Sequence, residues 1–288
     1  MKIALTGGTG FIGSHFLKQA LPLGHEILAI RRDACRQPRI QLNYQPDWLE
    51  CLLDDVEASQ LEGCKVLLHL AAHTGNVPYD TLHNCLRWNV NAVLNLFEQA
   101  RLAGIRRFVV AGSCFEYGRS GEQYHQIPTD APLEPTNAYA ASKAAASIIL
   151  KQWAEHHDLS LDILRVFHVF GEGELESRFW PSLRKAALEG ADFSMTKGEQ
   201  IRDFISVEDA ARIFLRRSTV PSATSPGVNI FNIGSGNSIS IKAFAETCWR
   251  QFGAAGDLRI GEIPYRSGEV MRFVPGHELL LPFAAEND

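Results

Sequence analysis

The sequence predicts an α/β chain: a doubly wound parallel sheet with a smaller, interleaved C-terminal part. Two observations carry this. Over residues 1–168 short apolar runs alternate with segments of helical spacing, the order that builds parallel strands joined by covering helices. Beyond Phe170 the pattern changes to shorter elements separated by Gly171, Gly173 and Gly190.

The first run, Lys2-Ile3-Ala4-Leu5-Thr6, breaks into Gly7-Gly8-Thr9-Gly10-Phe11-Ile12-Gly13 and resumes as a helix over 14–23 that closes at Gly24. Strand, tight turn and helix in that order set backbone N–H groups and a positive helix terminus against a pyrophosphate. Gly7 and Gly8 permit the turn, Gly10 lets phosphate approach the backbone, and Gly13 lets the helix lie close on the strand. With the amides of Phe11 and Ile12 at the helix start, these residues form the expected cradle of a dinucleotide.

A second strand is predicted over 26–30, followed by Arg31 and Arg32. An acidic residue near this point accepts hydrogen bonds from the adenosine ribose in NAD sites, whereas arginine suits a 2′-phosphate. Arg31 stands where the acid is expected, so the sequence favours NADP(H), with NAD(H) as the other possibility.

Residues 36–46, bounded by Pro38 and Pro46, read as an irregular connection, 48–53 as a strand and 54–61 as a short helix. The apolar run 66–70 reads as a buried strand delivering Leu70, Ala71 and Ala72 to a loop whose small side chains admit the cofactor. His69 reads as a hydrogen-bonded core residue. Helical spacing runs over 79–103 to Gly104; Asn89 and Asn91 lie within it, where either can bridge to the active site, although a surface position is the simpler reading of both. A strand over 107–111 brings Gly112 and Ser113 to the sheet edge where ligands bind. After Pro128, Pro132 and Pro135 comes a helix over 137–156, on which Tyr139 and Lys143, four apart, share a face. A buried strand over 161–166 follows. Helices over 179–188, 208–217 and 241–252 and strands over 202–207 and 231–233 complete the reading. Residues 1–168 are thus the expected Rossmann domain, to which part of 202–234 returns, and 169–288 mainly a substrate-binding cap.

A net charge of −5 argues against nucleic acid or an anionic membrane as the main partner, and no apolar stretch is long enough to span a bilayer. The N-terminus enters a strand directly, without a signal-peptide pattern. The six cysteines are scattered, without metal-type pairs, which suggests reduced thiols, a cytoplasmic protein and no metal. The adjacent His156 and His157 read as the end of a helix rather than as metal ligands.

Chemistry is legible at Tyr139. A free tyrosine titrates near ~10, and an ammonium group together with an oxidised nicotinamide stabilises its phenolate. Tyr139 can therefore exchange a proton with a carbonyl oxygen while hydride moves to or from the carbon, with Ser113 holding that oxygen.

The chain resembles the extended short-chain dehydrogenase/reductase family, in its NAD(P)-dependent epimerase/dehydratase branch that acts on nucleotide sugars. The resemblance rests on Thr6-Gly7-Gly8-Thr9-Gly10-Phe11-Ile12-Gly13-Ser14-His15, His69-Leu70-Ala71-Ala72, Ser113 with Tyr117-Gly118, Tyr139-Ala140-Ala141-Ser142-Lys143, and Arg202-Asp203-Phe204-Ile205-Ser206-Val207-Glu208-Asp209-Ala210-Ala211. It implies a Ser113, Tyr139, Lys143 triad with Lys143 also on the nicotinamide ribose, and a homodimer through the helices of 79–103 and 137–156. It further implies substrate contacts at His168, where many relatives have asparagine, and at Arg202 and Arg266, which resemble the arginines holding a nucleotide diphosphate. Trp180 and Pro181 resemble residues near the nucleotide, although an aromatic here also fits a core.

Departures from the family narrow the reaction. Dehydratases of this kind carry an Asp-Glu pair after the serine or threonine, and here those positions are Cys114 and Phe115, which argues against dehydration. Leu52 falls where many relatives have a polar residue near the adenine, and the chain stops at Asp288 without the closing helical segment expected of the family. The expected activity is reduction of an NDP-4-keto-6-deoxyhexose at C4. The alternatives are an NAD-dependent nucleotide-sugar 4-epimerase and, more remotely, a dinucleotide-sensing regulator without turnover, which the retained tyrosine and lysine disfavour.

Overall fold

The computed structural model describes residues 1–75, 77–219, 226–266 and 268–276. Its strands in the first part of the chain are β1 (Lys2–Thr6), β2 (Glu26–Arg31), β3 (Asp47–Glu50), β4 (Val66–His69), β5 (Arg107–Ser113) and β6 (Ser160–Val166). They are followed by β7 (His168–Phe170), β8 (Phe193–Met195), β9 (Ile201–Ser206), β10 (Gly227–Ile233), β11 (Ser238–Ser240), β12 (Leu258–Ile260) and β13 (Arg272–Phe273). Seven of these form one sheet in the order β10-β6-β5-β4-β1-β2-β3, and every neighbouring pair is parallel.

Strand order reverses direction between β1 and β4, the point at which open α/β sheets leave a crevice beyond their C-terminal ends. Thr6 of β1 pairs with His69 of β4, and His69 with Val110 of β5, so β5 runs on past its neighbour and carries Ser113 beyond the edge.

Helices cover both faces. On one, α1 (Phe11–Ala20) packs with α6 (Val207–Thr219), burying Phe16, Leu17, Ile213 and Phe214 against Ile3, Leu5 and Val109. On the other, α3 (Ala92–Leu102) and α4 (Ala138–His156) bury Phe97, Leu96 and Leu150 against Ala4, Leu67 and Phe108. The central strands are apolar on both faces because both are covered.

Several elements differ from the sequence reading. Helix α1 starts at Phe11 because Gly10, in extended conformation, is already its N-cap. The helix expected over 54–61 is two short 3₁₀ turns, the second closed by a reciprocal cap between Glu57 and Gln60. The helix expected over 79–103 begins at α2 (Leu82–Leu86), where the Thr81 side chain accepts from Asn84 N, and it changes to a π turn over Arg87–Asn91 before α3. The strand expected over 48–53 is the shorter β3.

After β7 the chain builds a second layer in which β9 pairs with β7, β11 and β13, and β8 pairs with β12. Helices α5 (Phe179–Glu189) and α7 (Ile241–Gln251) close it around Leu183, Met195, Phe244 and Trp249. Trp180 packs against Phe170 and Phe252, an aromatic core position. Meanwhile α6 and β10 rejoin the large sheet. Among the described residues no helix is long and apolar enough to cross a membrane, and the six cysteines are free. The expectation about the closing segment falls on residues 277–288, outside the described residues, as does Ser267 beside Arg266.

Candidate active site

The glycine turn is held against the loop after β4. Gly7 has φ of 78°, and a Cβ there would stand 2.6 Å from Ala71 N, while a Cβ on Gly13 would drive into the carbonyl of Gly7. Only glycine allows both the turn and the close seating of α1, which leaves the helix N-terminus open as an anion cradle. Phe11, Ile12, Leu70, Ala71 and Ala72 line the cleft that begins there, a cavity of about 230 Å³ continuing past Ser113, Tyr139 and Lys143 to His168 and Arg178. A nicotinamide dinucleotide fits these features: a pyrophosphate at the amides of α1 and a cleft lined by small residues leading to the phenol.

The reactive side chains come from two elements. Ser113 ends β5 and caps the following turn, its hydroxyl accepting from Phe115 N at 3.2 Å. Tyr139 lies in the first turn of α4, which Asn137 caps through Ala140 N at 2.9 Å. The Ser113 hydroxyl and the Tyr139 phenol share a hydrogen bond. One turn further along α4, the buried Lys143 donates through Nζ to Ala111 O at 2.7 Å.

Burial governs the electrostatics. It raises the Tyr139 phenol well above its ordinary value, against the Ser113 hydrogen bond, while Glu116 pushes the same way as burial. Burial lowers Lys143, and Glu116 opposes it. The Cys114 thiol is pushed up to about 12 by burial first and by Glu116 second, so it stays protonated and supplies no acid or base near neutral pH.

Beneath the triad lies a polar floor that the sequence reading missed. Glu116 is fully buried; it accepts from Ser113 N at 2.8 Å, from Ser147 Oγ at 2.8 Å and from Arg165 Nε at 2.9 Å. Arg165 also donates to the Tyr117 hydroxyl at 2.9 Å, and that hydroxyl donates to Asn232 Oδ1 at 2.6 Å. The network ties β5, β6, α4 and β10 together directly under Ser113.

Of the two readings open for Asn89, the structure shows the bridging one. The π turn directs it inward, where it is buried; its Oδ1 accepts from His73 N at 2.7 Å and its Nδ2 donates to Ser142 Oγ at 2.9 Å. It therefore fixes the loop after β4 to the helix carrying Tyr139. Asn91, its neighbour, is exposed. The same loop stacks Tyr79 on Tyr139, with ring centroids 5.9 Å apart and planes 7° apart. His69 is buried, with Nδ1 2.7 Å from the Thr6 hydroxyl, and burial lowers it to about 3.

Other expected residues stand apart. Arg31 is bound to Glu50 at 2.7 Å and stacks on Trp48 at 4.5 Å, because β2 and β3 are in register there. Arg32 is exposed. Arg202 is buried, yet its guanidinium donates to Ile201 O and Val270 O and lies 3.7 Å from Glu269. Arg266 and Leu52 are exposed, and neither lines the cleft. His168 does line it, lowered to about 3 by burial and by the nearby Arg202 and Arg178. Arg39, Glu174 and Arg178 line it too. Arg39 lies in the stretch read as an irregular connection, and Glu174 and Arg178 lie among the shorter elements beyond Phe170; none of the three was singled out in the sequence. Among the described residues no group of three or more His, Cys, Asp or Glu could hold a metal ion.

A glycine cradle at the switch point, with a hydrogen-bonded serine and tyrosine and a buried lysine at its inner end, defines an enzyme of the short-chain dehydrogenase/reductase type. The model of the NAD dependent epimerase/dehydratase family matches residues 3–234, and the chain belongs to that family. It is 26% identical to CDP-abequose synthase of Salmonella muenchen, over 94% of this chain and 87% of the relative. Among solved structures it is similar to MoeE5 in complex with UDP-glucuronic acid and NAD, at 27% identity and TM-score 0.79 over 96% and 90% of the two chains. It is likewise similar to the UDP-N-acetylglucosamine 4-epimerase of Methanobrevibacter ruminantium, at 26% and 0.83 over 96% and 89%.

Proposed function

We propose that this enzyme reduces a nucleotide-diphosphate sugar at C4, with an NDP-4-keto-6-deoxyhexose as substrate. The observation that carries the reading is the geometry: the Tyr139 phenol is hydrogen-bonded to Ser113, with Lys143 one turn along α4 and one cleft opening onto all three. Reduction starts with the proton on that phenol. Gly7, Gly10, Phe11, Ile12 and Gly13 would hold a nicotinamide dinucleotide, which would supply the hydride. Tyr139 gives its proton to the C4 oxygen as negative charge builds there, and Ser113 holds the same oxygen by a hydrogen bond. Lys143, one turn along, is placed to bind the ribose and to return positive charge to the phenolate that remains. Cys114 and Phe115, next to Ser113, offer no acid–base pair for eliminating water. His168 faces the sugar in this reading, and Arg202 and Arg266 approach the diphosphate only if they leave their present surroundings; Arg39 and Arg178 are the arginines that line the cleft.

The cofactor we propose is NAD(H). Glu50 neutralises Arg31, the guanidinium on which a preference for NADP(H) was expected, and a carboxylate at that place repels a 2′-phosphate. The relatives' names also favour a second reading, a 4-epimerase, because the structure from M. ruminantium is one. In that reading Tyr139 first acts as base.

Incubation with NADH or NADPH and a panel of 4-keto-6-deoxy nucleotide sugars separates the two. Loss of nicotinamide absorbance at rates matching product supports the reductase. Interconversion of C4 epimers by protein that keeps its own NAD, with no net NADH consumption, replaces it. We further propose a cytoplasmic homodimer, since α2 and α4 pack together and leave Leu82 and Ile148 exposed; a monomer by light scattering removes the dimer.

A further inference from the structure

The segment from Gly171 to Arg178 crosses the cleft wall with its backbone fixed from outside. Its Glu172 O accepts from His15 Nε2 at 2.9 Å, Gly173 O accepts from Arg39 Nη1 at 3.2 Å, and Glu174 N donates to Gly171 O at 3.2 Å. This seating turns the Glu174 side chain into the cleft, where it is only 9% exposed. Its Oε1 lies 3.5 Å from Arg178 Nε, while its Oε2 is buried without a hydrogen-bond partner. A second buried atom on the same cleft, His168 Nδ1, is also unpartnered.

A carboxylate oxygen buried without a donor is costly, and proteins retain such atoms where the donor arrives with a ligand. Burial moves Glu174 up to about 6 against the pull of Arg178 and of a hydrogen bond from the Gly171 backbone to the carboxyl group, so the group remains mainly ionised at neutral pH and accepts strongly at the oxygen left open. Position bears on which ligand it meets: Glu174 and His168 line the same cleft as Ser113 and Tyr139.

We propose that Glu174 is a specificity-determining residue whose Oε2 accepts a hydrogen bond from a ring hydroxyl of the bound nucleotide sugar, with His168 Nδ1 serving a neighbouring hydroxyl. This rests on the nucleotide-sugar reading above. It also sets a substrate class: neutral hydroxylated hexoses are accepted, and hexuronates, whose carboxylate meets a like charge, are disfavoured. The dinucleotide brings ribose hydroxyls of the same chemistry, so the test must tell the two sources apart.

The test is calorimetric titration of the full chain and of Glu174→Ala and Glu174→Gln. The probes are the NDP-hexose that binds the parent protein most tightly, its NDP-hexuronate, the free nucleoside diphosphate, and NADH. Losing a charge-assisted hydrogen bond should weaken NDP-hexose binding about tenfold or more in Glu174→Ala, with nucleoside diphosphate and NADH changed less than about twofold. Near-isosteric Glu174→Gln should retain the melting temperature and narrow the preference for hexose over hexuronate, which a structural role would leave alone. Unchanged NDP-hexose affinity in Glu174→Ala overturns the proposal. So does a loss confined to NADH, which assigns the acceptor to the ribose. If the parent protein binds NADH but no nucleotide sugar, the proposed function itself fails, and that is known before either variant is made.

Discussion

The two walls of the cleft treat buried polar groups in opposite ways. On the sheet side Ser113, Glu116, Ser142, Lys143 and Arg165 all have partners inside the protein. On the other side, after β6, His168 and Glu174 each keep a buried atom open. Two histidines make the contrast plain. Burial lowers both to about 3, yet His69 Nδ1 meets the Thr6 hydroxyl whereas His168 Nδ1 meets nothing. The satisfied wall is preorganised for proton transfer and the open wall is completed by its ligand, so chemistry and specificity are separable here.

The largest expected effect tests the satisfied wall. Tyr139→Phe removes the transferable proton and should lower kcat by about a hundredfold to ten-thousandfold, with NADH affinity by fluorescence titration little changed. Comparable rates in variant and parent would mean that the proton comes from elsewhere. The floor comes next. Glu116→Ala strands Arg165 as a buried charge and should cost about 3–5 kcal/mol in denaturant unfolding. A loss below about 1 kcal/mol would show that the floor does not hold the wall together.

An effect spread over several pH units tests the buried His69. Below the ordinary imidazole value of 6.5 an unfolded chain protonates His69, and the folded protein refuses that proton until about 3. Neutral burial thus costs nothing above 6.5, and stability falls as pH drops through the window between the two values, by about 1.4 kcal/mol per pH unit from this group. His69→Gln should flatten that acid limb in urea unfolding. An unaltered slope would place the acid sensitivity in other groups.

Much of the satisfied wall was legible in the sequence because its signals are local. The glycine turn, the i,i+4 spacing of Tyr139 and Lys143, and the strand delivering Ser113 each depend on a few consecutive residues. Asn89 was only partly legible, since the hydrogen bonds that decide its place, to His73 and Ser142, reach 16 and 53 residues along the chain. Glu116 was hidden for a related reason: its partners Ser147 and Arg165 lie 31 and 49 residues away, on elements whose pairing no local pattern encodes. The open wall was least legible. His168 stood out by resemblance, but Glu174 lies among Gly171, Glu172 and Gly173, where no local pattern marks a site, and His15 and Arg39 hold the backbone of its neighbours Glu172 and Gly173 rather than Glu174 itself.

Arg31 shows how a partner across the sheet bears on a local reading. Alone, an arginine at the end of β2 suits a 2′-phosphate; with Glu50 in register on β3 and Trp48 stacked on it, the same guanidinium already has a partner. Both neighbours come from β3, 17 to 19 residues downstream, and neither is implied by the motif. Glu50→Gln should therefore free Arg31 while leaving its stack on Trp48. The ratio of kcat/KM with NADPH to that with NADH is then expected to rise several-fold, with the Tyr139-dependent step untouched, because an exposed partner changes charge without removing packing. If the ratio stays fixed, Arg31 does not face the adenosine end, and the open and satisfied walls share a cofactor site whose base pocket is set by other residues.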